Sequence, residues 1–335
     1  MRWLAVRSFF RSALVVGLLF AAIGGGAYYW YQHILQAPGP HDEDSFLIVE
    51  AGNGHAVLRA KLSSTQVIHQ SYHYDAVRLI AGASFTPKAG EYLLPARASL
   101  AQIMQIINTG ISYSRRLTVV EGMRSADVVK QLNKMHNLTG KIEGIPDEGS
   151  LMPETYFYTY GTSRAAVIRR MQQTQQMALA EAWISRDKSL PYKTAQDALI
   201  MASIIEKEAA SGEERRLVAA VLVNRLKKSM RLQSDPTVVY KNEKTPDKAR
   251  PITKQDLKTK TPWNTYVIKG LPLTPICNPG MDAILAALKP AKSDYLYFVS
   301  DGYGGLRFAK KLAAHNRNVR SYRKGEAALR RAESK

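Results

Sequence analysis

The sequence predicts an α+β chain with an N-terminal transmembrane helix, a small duplicated α/β region and a mixed α/β domain at the C-terminal end. Three observations carry this. A charge-free apolar run, 12–32, has the length needed to cross a bilayer as a helix. A strand–turn–helix order recurs 70 residues apart. A stretch from Thr194 to Ala210 has helical spacing and is apolar nearly all round, which marks a helix buried in a larger core.

The N-terminal run sets the topology. Arg2, Arg7 and Arg11 precede it, so residues 1–11 are expected in the cytoplasm and everything after the span outside. Tyr28, Tyr29, Trp30 and Tyr31 close the run as an interfacial aromatic belt. A cleaved signal peptide is the competing reading. The run is long for one, and no small-x-small site follows it before the aromatics. The chain of 335 residues carries 47 Lys and Arg against 28 Asp and Glu, a net charge of +19. Export removes nucleic acid as a partner and leaves an anionic membrane surface or an acidic polymer. Cys277 is the single cysteine, so no internal disulfide and no thiolate-rich metal site can form.

Beyond a polar linker at 33–45, the duplicated region is expected over 46–160. Leu47, Val49, Gly52, Ala56 and Leu62 correspond to Leu117, Val119, Gly122, Ala126 and Leu132. A second strand and helix follow in each copy, at 90–94 and 100–107, and at 151–160 and 165–182. The C-terminal domain is expected over 161–325. It opens with a helix at 165–187 whose apolar side is read as Val167, Ile168, Met171, Met177, Leu179 and Trp183. Another buried helix is expected at 217–226, then a turn set by Pro236 and a solvated polar loop at 241–260. Residues 262–280 are dense in Pro, Gly, Asn and aromatics, a composition of shaped loops that line clefts. A short helix at 281–288 precedes an aromatic strand at 294–300 and a hairpin into Leu306, Arg307 and Phe308. From 306 onward ten basic residues face two acidic ones, and 326–335 reads as a basic tail.

Glu206 stands out in the apolar helix, between Ala202 and Ala209 on one side and Leu199 and Ala210 on the other. Burial disfavours a charged carboxylate, so its pKa is expected to rise, which suits a general acid. The alternative is a glutamate paired with a buried Arg or Lys, and the residues alone favour that pairing. The seven His are scattered and neither a metal motif nor a phosphate-binding loop or nucleophile elbow is present, so no cofactor is expected. Carboxylate chemistry remains. Glu208 lies two positions on, on a different face, and Asp235 is a loop carboxylate that could act as a second group.

Two resemblances sharpen this. The strand–turn–helix order of 46–160 resembles LysM modules, which bind glycan chains. More specifically, Ala202-Ser-Ile-Ile-Glu-Lys-Glu208, Asn224-Arg-Leu226, Arg231-Leu-Gln-Ser-Asp-Pro-Thr237, Asn264-Thr-Tyr266, Gly270-Leu-Pro272, Asn278-Pro-Gly280, Tyr295-Leu-Tyr-Phe-Val299 and His315-Asn316 resemble the endolytic murein transglycosylase family, also called YceG-like. The likeness covers nearly the whole chain. It departs at Gly270-Leu-Pro-Leu-Thr-Pro-Ile276, where the family usually has Gly-Leu-Pro-Pro-Gly-Pro-Ile.

The resemblance implies a single-pass inner-membrane protein with a periplasmic catalytic domain that cuts nascent peptidoglycan inside the glycan strand, as a terminase of elongation. It implies Glu206 as the catalytic acid, with Gln233, Asp235, Asn264 and Tyr266 lining the groove. Peptidoglycan strands are then the substrate, residues 12–32 the membrane contact, and the synthases of the polymer candidate partners. Two other readings stay open, a muramidase-type hydrolase and a non-catalytic glycan-binding scaffold.

Overall fold

The computed structural model describes residues 2–82, 85–240 and 251–333, with the side chains of 2–10, 81 and 326–333 left out. The first ten residues of the expected polar loop, 241–250, and the last two of the basic tail therefore lie outside the described residues. The chain divides into two compact units, Met1–Arg115 with Tyr158–Tyr160, and Arg116–Phe157 with Gly161–Lys335. By contacts, the second strand–helix copy thus groups with the residues of the C-terminal domain.

The first unit opens with helix α1 (Arg2–Gln36). Within it, Arg11–Gln36 is the one helix among the described residues long and apolar enough to cross a membrane. It is followed by β1 (Ser45–Val49), α2 (His55–Ser64), α3 (Ser71–Ala81), β2 (Gly90–Leu94) and α4 (Leu100–Thr109). β1 and β2 pair antiparallel, with Leu47 opposite Tyr92. Leu47, Leu58, Leu62, Tyr74, Val77, Tyr92, Leu94, Ile103 and Ile107 form the core beneath them. Helix α3 is absent from the sequence reading, which found one helix between the strands where the structure has two. α4 begins with a reciprocal cap between Ser99 and Gln102, which satisfies two backbone donors at its N-terminus.

Residues 37–44 are tied down instead of forming a free spacer. Gly39 N–H donates to Arg97 O at 3.1 Å and Arg97 N–H to His41 O at 2.7 Å. Ala96 N–H donates to Asp44 at 2.9 Å, and Arg97 pairs with Asp42 at 2.8 Å. The last turn of α1 is itself part of the unit, since Ile34 is buried in its core.

The second copy consists of β3 (Arg115–Thr118), α5 (Ser125–Asn133), β4 (Thr155–Tyr158) and α6 (Arg164–Ile184), with β3 paired to β4. The paired positions of the two copies have similar surroundings. Leu47 and Leu117, Val49 and Val119, and Leu62 and Leu132 are all buried, and Ala56 and Ala126 are both exposed. Gly52 and Gly122 take φ of 86° and 76°, the left-handed turn that favours glycine. On α6 one expected core residue is out of place. Met177 is 65% exposed, and the buried stripe runs through Val167, Ile168, Met171, Gln175 and Ala182. That stripe keeps the three- and four-residue spacing of one helix face, which Met177 does not share.

Helices α7 (Ala195–Glu208), α8 (Gly212–Lys227) and α10 (Met281–Leu288) build the main core, and the short α9 (Asp235–Val239) lies between α8 and α10 in the chain. α7 starts with a cap in which Thr194 Oγ accepts from Asp197 N–H at 3.2 Å and Asp197 accepts from Thr194 N–H at 3.0 Å. It ends at Ala209, whose extended backbone breaks the helix before Ser211 caps α8. A 3-10 turn at Asp256–Lys258, the hairpin of β5 (Tyr297–Ser300) and β6 (Leu306–Ala309), and α11 (Leu312–Glu333) complete the unit. α11 stays helical through most of the segment read as a basic tail.

Asn278, fully buried, holds the 262–280 loop against the second copy. Its amide donates to Met123 O at 3.0 Å and Ser125 Oγ at 3.1 Å and accepts from Leu151 N–H at 3.0 Å. Replacing Asn278 with Ala should cost about 2–4 kcal/mol, because several buried polar groups lose their partner at once. Denaturant titration of the purified variant checks this.

Candidate active site

The C-terminal turn of α7 presents its two glutamates to different surroundings. Glu206 has a side chain only 4% exposed, and both oxygens are engaged. One accepts from Arg215 at 2.8 Å and the other from Gly280 N–H, at the start of α10, at 2.9 Å. Arg215 also reaches Glu121 at 3.3 Å and Asp282 at 3.6 Å. A Cβ at Gly280 would meet the Glu121 side chain, which would have to move aside. The residue-level alternative for Glu206, a buried glutamate paired with an arginine, is the arrangement observed. Each oxygen thus accepts a hydrogen bond from the protein.

Glu208 closes the helix on another face. One oxygen accepts from Ser234 Oγ at 2.6 Å, the only hydrogen bond recorded for its carboxyl among the described residues. The pKa is pushed up from 4.5 to about 7, chiefly by burial of the carboxyl and then by the charge of Asp235. The Ser234 hydroxyl and the Arg225 guanidinium pull the other way. Its place in the last turn, at the negative end of the helix dipole, also works against ionisation.

The wall beside Glu208 is made by 231–237 and 264–266. Ser234 is buried and fixed by a threonine pair, with its N–H donating to Thr265 Oγ at 3.0 Å and Thr237 Oγ 2.8 Å from Thr265 Oγ. Gln233 sits at φ 53°, a strained conformation for a residue with a side chain, and its Oε accepts from Arg225 at 3.3 Å. Arg225 is buried and also donates to Leu296 O at 2.7 Å and Leu232 O at 2.9 Å. Its guanidinium lies 5.1 Å from the centre of the Tyr297 ring. Burial lowers the Arg225 pKa. Tyr266 Oη donates to Asp235 at 2.6 Å, and burial followed by that bond raises the phenol's pKa.

Of the residues expected to line the groove, Gln233, Asp235 and Tyr266 come together beside Glu208, Gln233 and Asp235 exposed and Tyr266 half-buried. Asn264 does not face the groove. It is 1% exposed, and its amide donates to Asp256 O at 3.1 Å and Thr259 O at 2.8 Å and accepts from Tyr266 N–H at 3.0 Å. Its role is to shape the loop that carries Tyr266. The sequence reading missed Ser234, Arg225, Arg215 and Glu121. Ser234 and Arg225 lie in the quoted motifs, whereas Arg215 reaches Glu206, and Glu121 reaches Arg215, only through the fold. Among the described residues no group of three or more His, Cys, Asp or Glu could hold a metal ion.

These features define a class: a chain with one N-terminal apolar helix and an α+β unit built around a buried, high-pKa carboxyl beside an open polar wall. A sequence profile of the YceG-like family matches residues 47–321, and the chain belongs to that family. An endolytic murein transglycosylase of Bacillus subtilis is 31% identical over 89% of this chain and 90% of its own length. An endolytic murein transglycosylase of Streptococcus pneumoniae is 34% identical over 51% of this chain and 31% of its own length. A crystal structure of a YceG-like protein from Listeria monocytogenes is 28% identical, with a TM-score of 0.50 over 82% of this chain and 98% of that one.

Proposed function

We propose that this protein is a peptidoglycan lytic transglycosylase that cuts the β-1,4 bond between N-acetylmuramic acid and N-acetylglucosamine within glycan strands, with Glu208, not Glu206, as acid and then base. The observation that carries the reading is the Glu208 carboxyl, half-buried, held by one serine hydroxyl and raised to about 7 beside the exposed Gln233 and Asp235. Such a group still carries its proton in a large fraction of molecules at neutral pH. The names of the relatives supply the substrate class.

Glu208 protonates the glycosidic oxygen as the bond to muramyl C1 breaks. The resulting carboxylate then takes the proton from the muramyl C6 hydroxyl, whose oxygen bonds to C1 and closes a 1,6-anhydro ring. Glu208 regains its proton and no water is consumed, so one carboxyl suffices. Tyr266 and Asp235, bonded to each other, and Gln233, set by Arg225, line the groove. Helix α1 tethers the enzyme in the inner membrane with its N-terminus in the cytoplasm and the catalytic unit in the periplasm. Cutting nascent strands there would terminate their elongation, next to the synthases. The β1–α2–α3–β2 order supports a LysM-like, glycan-holding role for the first unit.

A hydrolytic reading uses Asp235 as the second carboxylate. Its Oδ1 is already taken by Tyr266 Oη, which favours the single-acid route. Mass spectrometry of digested peptidoglycan separates the two. Anhydro-muramyl ends are expected, and reducing-end muramic acid would overturn the proposal. Replacing Ser234 with Ala removes a bond that favours the Glu208 carboxylate. The basic limb of the pH–rate profile should then move to higher pH, which a pH series with soluble glycan strands will read.

A further inference from the structure

Helix α3 has two apolar faces, and the fold uses one of them. Tyr74 and Val77 point into the core, at 0% and 2% exposure. Tyr72, Leu79 and Ile80 stand outward at 55%, 84% and 61%. Their spacing of seven and eight residues puts them along one side of the helix. Arg78 is exposed beside them.

What covers this face follows from α1. The aromatic belt of that helix ends at Tyr31, and within one further turn Ile34 is already in the core of the unit. The segment 37–44 is strapped to 95–98, so no spacer separates span and unit. The belt and the outer face of α3 are continuous. The Trp30 ring lies edge-on to His73, with centroids 6.3 Å apart, and the neighbouring Tyr72 ring packs on His73 at 4.6 Å. Trp and Tyr with exposed aliphatic side chains and a flanking arginine are the composition of an element lying at headgroup depth.

We infer that the outer face of α3, through Tyr72, Leu79 and Ile80, rests on the phospholipid surface from which α1 emerges, giving the first unit a second membrane contact. The inference depends on α1 being the anchor. It holds the first unit against the bilayer instead of letting it swing on a linker. Leu79 also borders a cleft with His55, Arg59, Asp75 and Phe85, where a glycan would compete. Tyr72 and Ile80 do not line it and are the cleaner reporters.

The buried Cys277 makes single-site labelling possible, since its thiol is fully enclosed. Full-length Tyr72→Cys and Ile80→Cys variants, labelled with an environment-sensitive fluorophore, would be reconstituted in phosphatidylethanolamine–phosphatidylglycerol vesicles. Val57→Cys, on exposed α2, is the water-facing control, and Leu19→Cys reports the span itself. Lipids brominated near the top of the acyl chain should quench positions 72 and 80 several-fold more than 57, with aqueous iodide showing the reverse. Equal quenching at 80 and 57, with Leu19→Cys quenched by deep bromines, overturns the inference and leaves the anchor standing. Loss of quenching at 19 overturns both. Disulfide-linked pairs through Ile80→Cys, or shielding of 72 and 80 only when glycan fragments are added, would assign the face to a second copy or to the polymer and overturn the lipid contact.

Discussion

Glu208→Gln should lower glycan-strand cleavage by about 10²–10⁴-fold, the span general-acid removal typically gives. The variant should remain folded. Gln keeps an oxygen that can accept from Ser234, and the side chain keeps its volume. It should also be more stable than the parent at alkaline pH. The folded-state pKa of Glu208 is raised to about 7, above its unfolded value, so the folded state prefers the protonated carboxyl. That contribution is full below the unfolded pKa and is lost as pH rises through about 7. Gln removes the loss, which amounts to about 3 kcal/mol at pH well above 7, at 1.36 kcal/mol per pKa unit. Thermal unfolding at pH 8.5 and pH 4 should therefore show a gain at the higher pH and little change at the lower. A Glu208→Gln enzyme that retains parental cleavage would remove Glu208 from the chemistry.

How far the sequence revealed this site depends on the residue. Periodicity located α7 and its two glutamates, and the Ser-Asp-Pro motif marked the wall opposite. What periodicity could not give is which glutamate is free. On a helix apolar nearly all round, Glu206 is the carboxylate that looks misplaced. The difference lies in Arg215, nine residues on across a helix break, and in Gly280, which reaches Glu206 only through the tertiary fold. Asn264 misled for a related reason. An Asn in a Pro- and Gly-rich loop is as useful for holding main-chain carbonyls as for touching sugar, and here its amide is consumed by the former.

The fold shows the same division. The two strand–helix copies were legible because left-handed glycines and buried leucines recur at fixed offsets. α3 was not, because its outward Tyr72, Leu79 and Ile80 blur the one-sided pattern by which amphipathic helices are found. Met177 leaves its expected place on α6, where the buried amide of Gln175 stands in the core stripe and the thioether faces water. Hydrophobicity ranks residue types; the helix face decides which of them is enclosed.

Arg215→Met should destabilise the second unit by about 3–5 kcal/mol, a drop in Tm of order 10 °C. The arginine is buried and stands among Glu206, Glu121 and Asp282, so its loss leaves three facing carboxylates with no cation between them. Glu206, 4% exposed in its side chain, cannot turn to water. Glu206→Gln should cost less, because Arg215 keeps Glu121 and Asp282 and the amide oxygen can still accept from Gly280 N–H. The two variants should also differ in pH dependence. Burial and then the charge of Glu206 already raise the Glu121 pKa, and removing Arg215 takes away an opposing attraction. Raised carboxyl pKa values in the folded state mean stability that is present in acid and lost as pH rises through them. The deficit of Arg215→Met should therefore shrink on acidification toward pH 5 and grow above neutrality, a trend that Tm measured across a pH series will read. If Glu206→Gln instead abolished cleavage with an unchanged Tm, the ion pair would be dispensable for folding and the acid would be Glu206.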